Sequence, residues 1–366
     1  MRNDVWLAVT VLTAATCSAR IAAAEPIAEP GLVSPPSLTI APFLAGPPRQ
    51  DGPVVVRASF HLRDVNDIDD EAETVDFEGI LTLTWHDARQ AFDPTGLGID
   101  EKFYQGAYQF NEVFTGWFPQ VILANESGRY EQLGVVLHVT PDGTLTLVQT
   151  VNAVAEVDLG LRRYPFDRQR LDASFEVLGG DKEQVVLQVG SQSTEAEVRV
   201  PQWKLSGVSA STRDRSAPYA GRPGAVVSTF VVSMDVERQS FFMVRLVVLP
   251  LVLIVMLSWS VFWMDRASLG DRVNVSFIGI LTAVAYQIVV SEILPNISYM
   301  TLMNGFLNLS FVIMCATVVI NLVVGIRDAR GQSEVGDRID RLCRWTFPLA
   351  YFGSLLVMVG ITFIFF

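Results

Sequence analysis

The side chains best suited to act on ions lie in one apolar segment, GDRVNVSFIGILTAVAYQIVVSEILPN, residues 270–296. If this segment is a helix, alternate steps of four and three residues place two acids, one amide and four apolar or small side chains on the same face. The members of this face are Asp271, Asn274, Ile278, Leu281, Ala285, Ile288 and Glu292. An ionisable group is costly inside a bilayer, so a face with an acid near each end is unusual for a helix that only contacts lipid.

This face has two interpretations. The acids could be the interfacial ends of an ordinary packed helix. Alternatively, several copies of the helix could surround a water-filled pore, in which carboxylates at both entrances attract cations. Leu281, with Ile278 and Ile288 on either side, would then form an apolar narrowing that closes the pore when it loses its water. One chain supplies one such helix, so the second interpretation requires a ring of subunits.

The segment belongs to an apolar C-terminal half. Four apolar stretches follow residue 240, and each has the roughly 20 residues that a membrane-spanning helix needs. They cover residues 241–264, 273–294, 302–326 and 345–366. The loop after the third stretch is rich in arginine, whereas SEILPNISYM has no Lys or Arg. The positive-inside rule therefore predicts that the arginine-rich loop is cytoplasmic, and that the N-terminal half and the C-terminus are outside.

The N-terminal half has two parts. Residues 1–24 combine a basic residue, a short apolar run and small residues at the end, a pattern typical of a secretory signal peptide. An uncleaved anchor is the alternative for this segment. Residues 25–240 contain short runs of alternating polar and apolar residues bounded by turn residues, with PDG at 141–143 as a hairpin turn. This pattern predicts an antiparallel, immunoglobulin-like β-sandwich outside the membrane.

Composition and motif content exclude several other classes of protein. The 366 residues carry a formal net charge of −12, which argues against a nucleic-acid partner because phosphate binding needs a basic surface. The three histidines, His61, His86 and His138, fall in separate strand-like segments. The sequence has no metal-spaced His/Cys set and no hydrolase or phosphate-loop motif. It therefore predicts no enzyme activity, no metal site and no cofactor.

Several motifs occur together in the order and at the spacing of one protein family. They are WHDAR at 85–89, WFPQVILAN at 117–125, RRYPFDRQ at 162–169, the proline of RLVVLPL at 250, and SWSVFWMD leading into GDRVNVSFIGIL. In this combination the chain from about Val54 to Phe366 resembles the pentameric ligand-gated ion channels, most closely their prokaryotic members. The resemblance implies a ligand-binding sandwich followed by a four-helix transmembrane bundle, assembled as a homopentamer around a central pore. Membrane lipids, monovalent cations and a small-molecule agonist or protons would be its other partners.

The disulfide that names the animal receptors is not expected here. Counted from the YPFDRQ motif, its two cysteines would fall at Val157 and Leu171. The prokaryotic branch of the family also lacks this bridge, so the departure leaves the expected fold unchanged.

The resemblance also implies how the two halves of the chain meet. In the family, the arginine twelve positions before the first-helix proline lies against the aspartate of the YPFDRQ loop. These two positions are Arg238 and Asp167, and the acids of residues 67–73 could share the arginine. The loop that contains Pro295 would receive the signal. The other interpretation of Arg238 is a side chain that reaches the lipid headgroups.

The ligand is less well defined, because the sequence keeps little of the family's aromatic box. Glu176 and Tyr219 remain in position to hold an amine, although each could be an ordinary surface residue. Protons that act on acids such as Asp67, Asp69 and Asp70 are an equal alternative.

The resemblance and the acidic face together predict a function. Asp271 followed by Arg272 is the arrangement that accompanies cation passage in the family. The sequence therefore predicts a cation-selective channel that is opened from outside by a ligand or protons. Its predicted location is the cell membrane, namely the inner membrane of a bacterium. The alternative is a membrane-anchored sensor that conducts no ions. The channel is favoured because an anchor does not need acids at both ends of one helix face.

Overall fold

The computed structural model describes residues 46–48, 51–195, 198, 200–217, 219, 224–264 and 269–365. All of these residues belong to one compact unit. The predicted signal peptide, residues 1–24, lies outside the described residues.

Ten β-strands form the N-terminal part of the described chain. They are β1 (Val54–Asp69), β2 (Thr74–His86), β3 (Lys102–Gln105), β4 (Val121–Leu123), β5 (Glu126–Val139), β6 (Thr144–Glu156), β7 (Arg168–Val177), β8 (Val185–Thr194), β9 (Trp203–Ser216) and β10 (Val226–Arg238). Six strands form one sheet in the order β3-β5-β6-β2-β1-β8, and four form a second sheet in the order β4-β7-β10-β9.

Alternating side chains from the two sheets fill a common apolar core. Along β2, every second residue is buried, as expected for a strand with one face on the core. Phe60 of the first sheet and Phe175 of the second meet across the core with ring centroids 5.7 Å apart. A Cβ atom on Gly79 would lie 2.3 Å from the Phe60 ring, so glycine is required there. The predicted β-sandwich is confirmed.

One pair of neighbouring strands departs from the predicted antiparallel arrangement. β1 and β8 are parallel, with Val54 opposite Val185, whereas the other paired strands are antiparallel. The chain crosses from β7 in the second sheet to β8 in the first, so no hairpin fixes the direction of β8 against β1. The predicted turn at residues 141–143 does join an antiparallel hairpin, between β5 and β6.

Four helices follow the sandwich, and each is long and apolar enough to cross a membrane. They are α1 (Phe241–Trp263), α2 (Leu269–Ser291), α3 (Leu302–Ala329) and α4 (Ser333–Phe365). The predicted stretches began at residues 273 and 345, whereas α2 and α4 begin earlier. Hydropathy marks the part of a helix that lies in lipid, and helical hydrogen bonding continues into polar turns beyond that part. The sandwich followed by a four-helix bundle is the predicted fold.

Helix α1 has an irregular turn next to a proline, and α2 contacts the helix there. Residues Val244–Val248 form a wide helical turn just before Pro250. Proline has no N–H, so the carbonyl of Leu246 lacks its usual partner within the helix. The Tyr286 hydroxyl of α2 donates to this carbonyl and also lies 3.3 Å from the carbonyl oxygen of Val247. This contact joins α2 to the irregular turn of α1.

Apolar side chains occupy the two positions of the family's disulfide in the described sandwich. Cys315 and Cys343 are both free thiols in the helices. Val157 and Leu171 are buried apolar side chains of the sandwich core.

Candidate pore, coupling and ligand sites

Helix α2 has one exposed face and one buried face. The exposed face contains all seven side chains predicted to line a pore: Asp271, Asn274, Ile278, Leu281, Ala285, Ile288 and Glu292. Leu281 is 71% exposed and Ile278 is 63% exposed, although both are large and apolar. The opposite face, with Arg272, Ser276 and Ala283, is buried against the rest of the bundle. The exposed face is therefore the one that can line an opening between copies of the chain.

The two acids of this face lie at opposite ends of the helix. Asp271 is in the first turn of α2, on the side of the bundle away from the sandwich. Glu292 follows the last residue of α2, on the side of the sandwich. Asp271 makes no ion pair within the described part of the chain. Its negative charge is therefore available at the inner end of the exposed face.

Arg272, the next residue, points the opposite way into a buried polar cluster. Its guanidinium donates to both carboxylate oxygens of Asp340 on α4, at 3.0 and 3.1 Å. It also donates to the amide oxygen of Asn321 on α3, at 3.2 Å. Asn321 in turn donates to the Ser276 hydroxyl at 2.8 Å. The sequence motifs did not identify Asp340 or Asn321, although an arginine in an apolar helix bundle signals that a carboxylate must lie nearby.

The junction between sandwich and helices is built around Arg238, the last residue of β10. The Nε of Arg238 donates to Asp167 at 2.9 Å. Its two terminal nitrogens donate to the two carboxylate oxygens of Asp70, at 2.8 and 2.7 Å. The side chains of Arg238 and Asp167 are 2% and 1% exposed. The structure thus brings together the two residues that the resemblance paired, and adds one acid from residues 67–73.

Aromatic rings complete the enclosure of Arg238. Its guanidinium lies 4.0 Å from the ring centre of Trp203 and 4.6 Å from that of Tyr164. Burial lowers the pKa of Arg238, but its hydrogen bonds to Asp70 and its attraction to Asp167 outweigh burial, so the pKa is raised. Burial raises the pKa of the Tyr164 phenol to about 12, against an opposing effect of the Arg238 charge. Arg238 therefore stays charged, and Tyr164 stays neutral beside it.

The loop after α2 contacts the sandwich next to this junction. Asn296, which follows Pro295, donates to the Glu71 carboxylate at 3.4 Å. The Tyr299 hydroxyl donates to the carbonyl of Leu159 and accepts from the N–H of Leu161, both at 3.1 Å. Pro295 itself is half-buried in this loop. The motifs pointed to Pro295 but not to Tyr299, which makes the direct hydrogen bonds.

The two predicted ligand-binding residues, one on the second sheet and one in the loop after β9, contact each other. Glu176 of β7 is buried, and its carboxylate accepts a hydrogen bond from the Tyr219 hydroxyl. The other carboxylate oxygen lies 3.4 Å from the Arg215 guanidinium. Burial, then the hydrogen bond to Glu176 and its negative charge, raise the pKa of Tyr219 to about 12. Tyr219 therefore remains a hydrogen-bond donor at neutral pH.

A groove of about 350 Å³ lies beside this pair. Its lining includes Asn125, Ser174, Arg213 and Arg215. The groove carries charges of both signs, since Arg213 lies 3.4 Å from Asp172 and Arg215 contacts Glu176. An amine bound to Glu176 would therefore compete with Arg215.

The three acids proposed for proton sensing have different surroundings. Asp67 is exposed and lies opposite Asp76 in the β1–β2 pair. Asp69 accepts hydrogen bonds from the N–H groups of Glu71 and Ala72, at 2.9 and 2.8 Å. Asp70 contacts Arg238 as described. These acids are at the tip of one hairpin, which lies at the junction with the helices.

A β-sandwich followed by four helices, each long and apolar enough to cross a membrane, is the architecture of a membrane receptor. The chain matches the neurotransmitter-gated ion-channel ligand-binding domain over residues 44–239 and the neurotransmitter-gated ion-channel transmembrane region over residues 247–334. The protein therefore belongs to the pentameric neurotransmitter-gated ion-channel family, which confirms the resemblance seen in its motifs. It is a multi-pass membrane protein with an extracellular N-terminal domain, and it is not an enzyme.

Three relatives show the range of this similarity. A proton-gated ion channel of Gloeobacter violaceus is 27% identical over 339 residues, which are 92% of this chain and 87% of that protein. The human gamma-aminobutyric acid receptor subunit rho-3 is 23% identical over 79% of this chain and 62% of its own length. The glutamate-gated chloride channel subunit beta of Haemonchus contortus is 23% identical over 77% of this chain and 66% of its own length. Family membership alone therefore does not decide between cations and anions.

Proposed function

We propose that the protein is a homopentameric, cation-selective channel in the cell membrane, opened by a ligand or by protons that act on the extracellular sandwich. The observation that supports cation selectivity is the opposite orientation of two consecutive residues. Asp271 is on the exposed face of α2 without an ion pair among the described residues, whereas Arg272 is buried and paired with Asp340. Five copies of Asp271 around an axis would form a ring of carboxylates that attracts cations.

The apolar part of the same face supports a hydrophobic gate. Ile278, Leu281 and Ile288 are exposed in one chain and would face one another in a ring. Rings of large apolar side chains can exclude water from a narrow pore without a physical plug. We assign the closed gate to Leu281, with Ile278 and Ile288 as flanking constrictions. The shorter side chains of Asn274 and Ala285 would line wider parts of the pore. Glu292 would form an acidic ring at the outer end.

The agonist is proposed at the level of two candidate classes. A small amine is favoured by the buried carboxylate of Glu176. Tyr219, in the neighbouring loop, donates a hydrogen bond to this carboxylate. Protons are favoured by the similarity to the Gloeobacter violaceus protein, whose name is proton-gated ion channel, and by the acids at the β1–β2 tip. Both classes act on the same coupling path, through Asp167, Arg238 and the Pro295 loop. The membrane is proposed to be a bacterial inner membrane, with residues 1–24 as the export signal.

The test is the current through purified protein in a planar bilayer with a salt gradient. Steps in pH and a panel of small amines, applied to the parent protein, identify the class of agonist. The same conditions are applied to Tyr219→Phe, and this substitution should alter the response to an amine but not the response to protons. The reversal potential should lie near the cation equilibrium potential. Asp271→Lys should move it towards the anion value, whereas Glu334→Lys, an exposed residue in the first turn of α4, should leave it unchanged. An unchanged potential in Asp271→Lys would remove this residue from the filter.

A further inference from the structure

The end of the bundle away from the sandwich contains an ion pair that joins α2 and α4. Arg272 and Asp340 are 0% and 4% exposed, and Asn321 between them is 1% exposed. The three residues come from α2, α4 and α3. Both terminal nitrogens of the guanidinium bind the Asp340 carboxylate, which is the strongest geometry for such a pair.

The pair controls how much positive charge lies next to Asp271. Arg272 follows Asp271 directly, so in a ring of subunits each carboxylate of the pore face has a guanidinium one residue away. A buried charge in a low-dielectric surrounding acts over a longer range than an exposed one. The carboxylate of Asp340 cancels the charge of Arg272 at a distance of 3.0 Å. The ring of Asp271 carboxylates then remains the dominant charge at the inner mouth.

We propose that Asp340 on the outer helix α4 determines ion selectivity, because it neutralises Arg272 and so preserves the negative potential that Asp271 creates. The proposal rests on the proposed function, in which the exposed face of α2 lines the pore. The proposal assigns a role in ion permeation to a residue on α4, the last helix of the chain. The hydrogen bonds from Arg272 to Asn321, and from Asn321 to Ser276, hold the guanidinium away from the exposed face.

The principal test compares Asp340→Asn with Asp337→Asn. Both substitutions remove one negative charge from the same turn of α4, but Asp337 is exposed and Asp340 is buried against Arg272. Five uncompensated guanidinium groups around the pore should lower the unitary cation conductance roughly three-fold at 0.1 M salt, where the Debye length is about 10 Å. Asp337→Asn should change it by much less. Equal losses in the two variants would overturn the proposal.

Salt dependence separates electrostatics from a displaced helix. At 1 M salt the Debye length is only about 3 Å, so the conductance of Asp340→Asn should approach that of the parent. A deficit that persists at 1 M salt would mean that the pore has changed shape, and would contradict the proposal. The double variant Arg272→Gln/Asp340→Asn removes both charges and should regain most of the parental conductance; a double variant as low as Asp340→Asn would also contradict it.

Coexpression provides a control for a defect in assembly. If Asp340→Asn alone does not form pentamers, coexpression with the parent gives mixed pentamers, and conductance should fall stepwise with the number of altered subunits. The cation-to-anion permeability ratio of the parent tests the proposed function. The present proposal is tested by comparing this ratio in Asp340→Asn and in Asp337→Asn. The ratio in Asp340→Asn should be shifted towards anions relative to Asp337→Asn, whatever ion the parent prefers. The two results are therefore distinguishable.

Discussion

Two buried arginines at opposite ends of the transmembrane half differ in what surrounds them. Arg238, at the end of the sandwich, is shared by two carboxylates, Asp70 and Asp167, and is enclosed by aromatic rings. Arg272, at the inner end of the bundle, has one carboxylate, Asp340, and one amide. The first set of three side chains has a net negative charge, and the second is neutral.

The elements that supply the partners differ as well. The partners of Arg238 come from the turn after β1 and from the loop before β7, which are loops that contact the helices. The partners of Arg272 come from two long helices packed side by side. Loops can move relative to one another at low cost, whereas packed helices move as rigid units. We therefore expect the Arg238 centre to control opening and the Arg272 centre to control permeation.

The largest expected effect is the loss of Arg238. Arg238→Ala leaves Asp70 and Asp167 without their buried cation, and removal of one partner from a buried ion pair costs about 3–5 kcal/mol. We expect weak assembly or little agonist-evoked current. Arg168→Ala is the control, since Arg168 is 79% exposed and an exposed pair is worth only about 0–1 kcal/mol. Thermal unfolding of the purified pentamer and current amplitude measure both variants.

A double-mutant cycle shows whether the loss of Arg238 acts through Asp167. The combined variant Arg238→Ala/Asp167→Ala should lose less than the sum of the two single losses, because residues in contact couple by about 0.5–3 kcal/mol. Strictly additive losses would mean that the 2.9 Å contact carries no coupling, and that Pro295 and its loop receive the signal from elsewhere in the sandwich.

A smaller effect is expected at the pore between the two centres. Leu281→Thr makes the apolar ring easier to wet, so the channel should open at lower agonist concentration. A shift of about ten-fold would correspond to about 1.4 kcal/mol in the opening equilibrium. Val289→Thr is the matched control, because Val289 is exposed on α2 but outside the predicted pore face. A need for more agonist in Leu281→Thr would place the gate elsewhere.

The smallest effect is expected where the loop after α2 contacts the sandwich. Tyr299→Phe removes the hydrogen bonds to Leu159 and Leu161, and each such bond contributes about 0.5–1.5 kcal/mol. Agonist sensitivity should change several-fold, while unitary conductance should not. Ser298→Ala removes a hydroxyl from the same loop as a control. If Tyr299→Phe behaves like Ser298→Ala, this contact does not transmit the signal.

The sequence predicts the elements well because their patterns are local. Alternation of buried and exposed residues identifies β2, and steps of four and three residues identify the exposed face of α2. The Arg238–Asp167 contact follows only from the resemblance, since the two residues lie 71 positions apart. Periodicity alone could not have paired them.

The remaining features depend on packing between distant elements. Asp340 lies 68 positions from Arg272, in a stretch of the chain that also carries Asp337, Arg338 and Arg341, so charge alone does not distinguish it from exposed residues. Arg215 competes for Glu176 because β9 and β10 are paired beside β7, a register that composition does not encode. The parallel pairing of β1 with β8 likewise depends on how the chain crosses between sheets.

Single-channel recording of Asp70→Asn and Asp340→Asn, side by side under the same agonist and at low salt, tests the central claim most directly. Each substitution removes one carboxylate from one buried arginine. We expect Asp70→Asn to change the open probability and to leave the unitary conductance at the parental value. We expect Asp340→Asn to lower the unitary conductance and to leave the open probability at the parental value. If both variants change the same quantity, the division between an opening centre and a permeation centre is wrong.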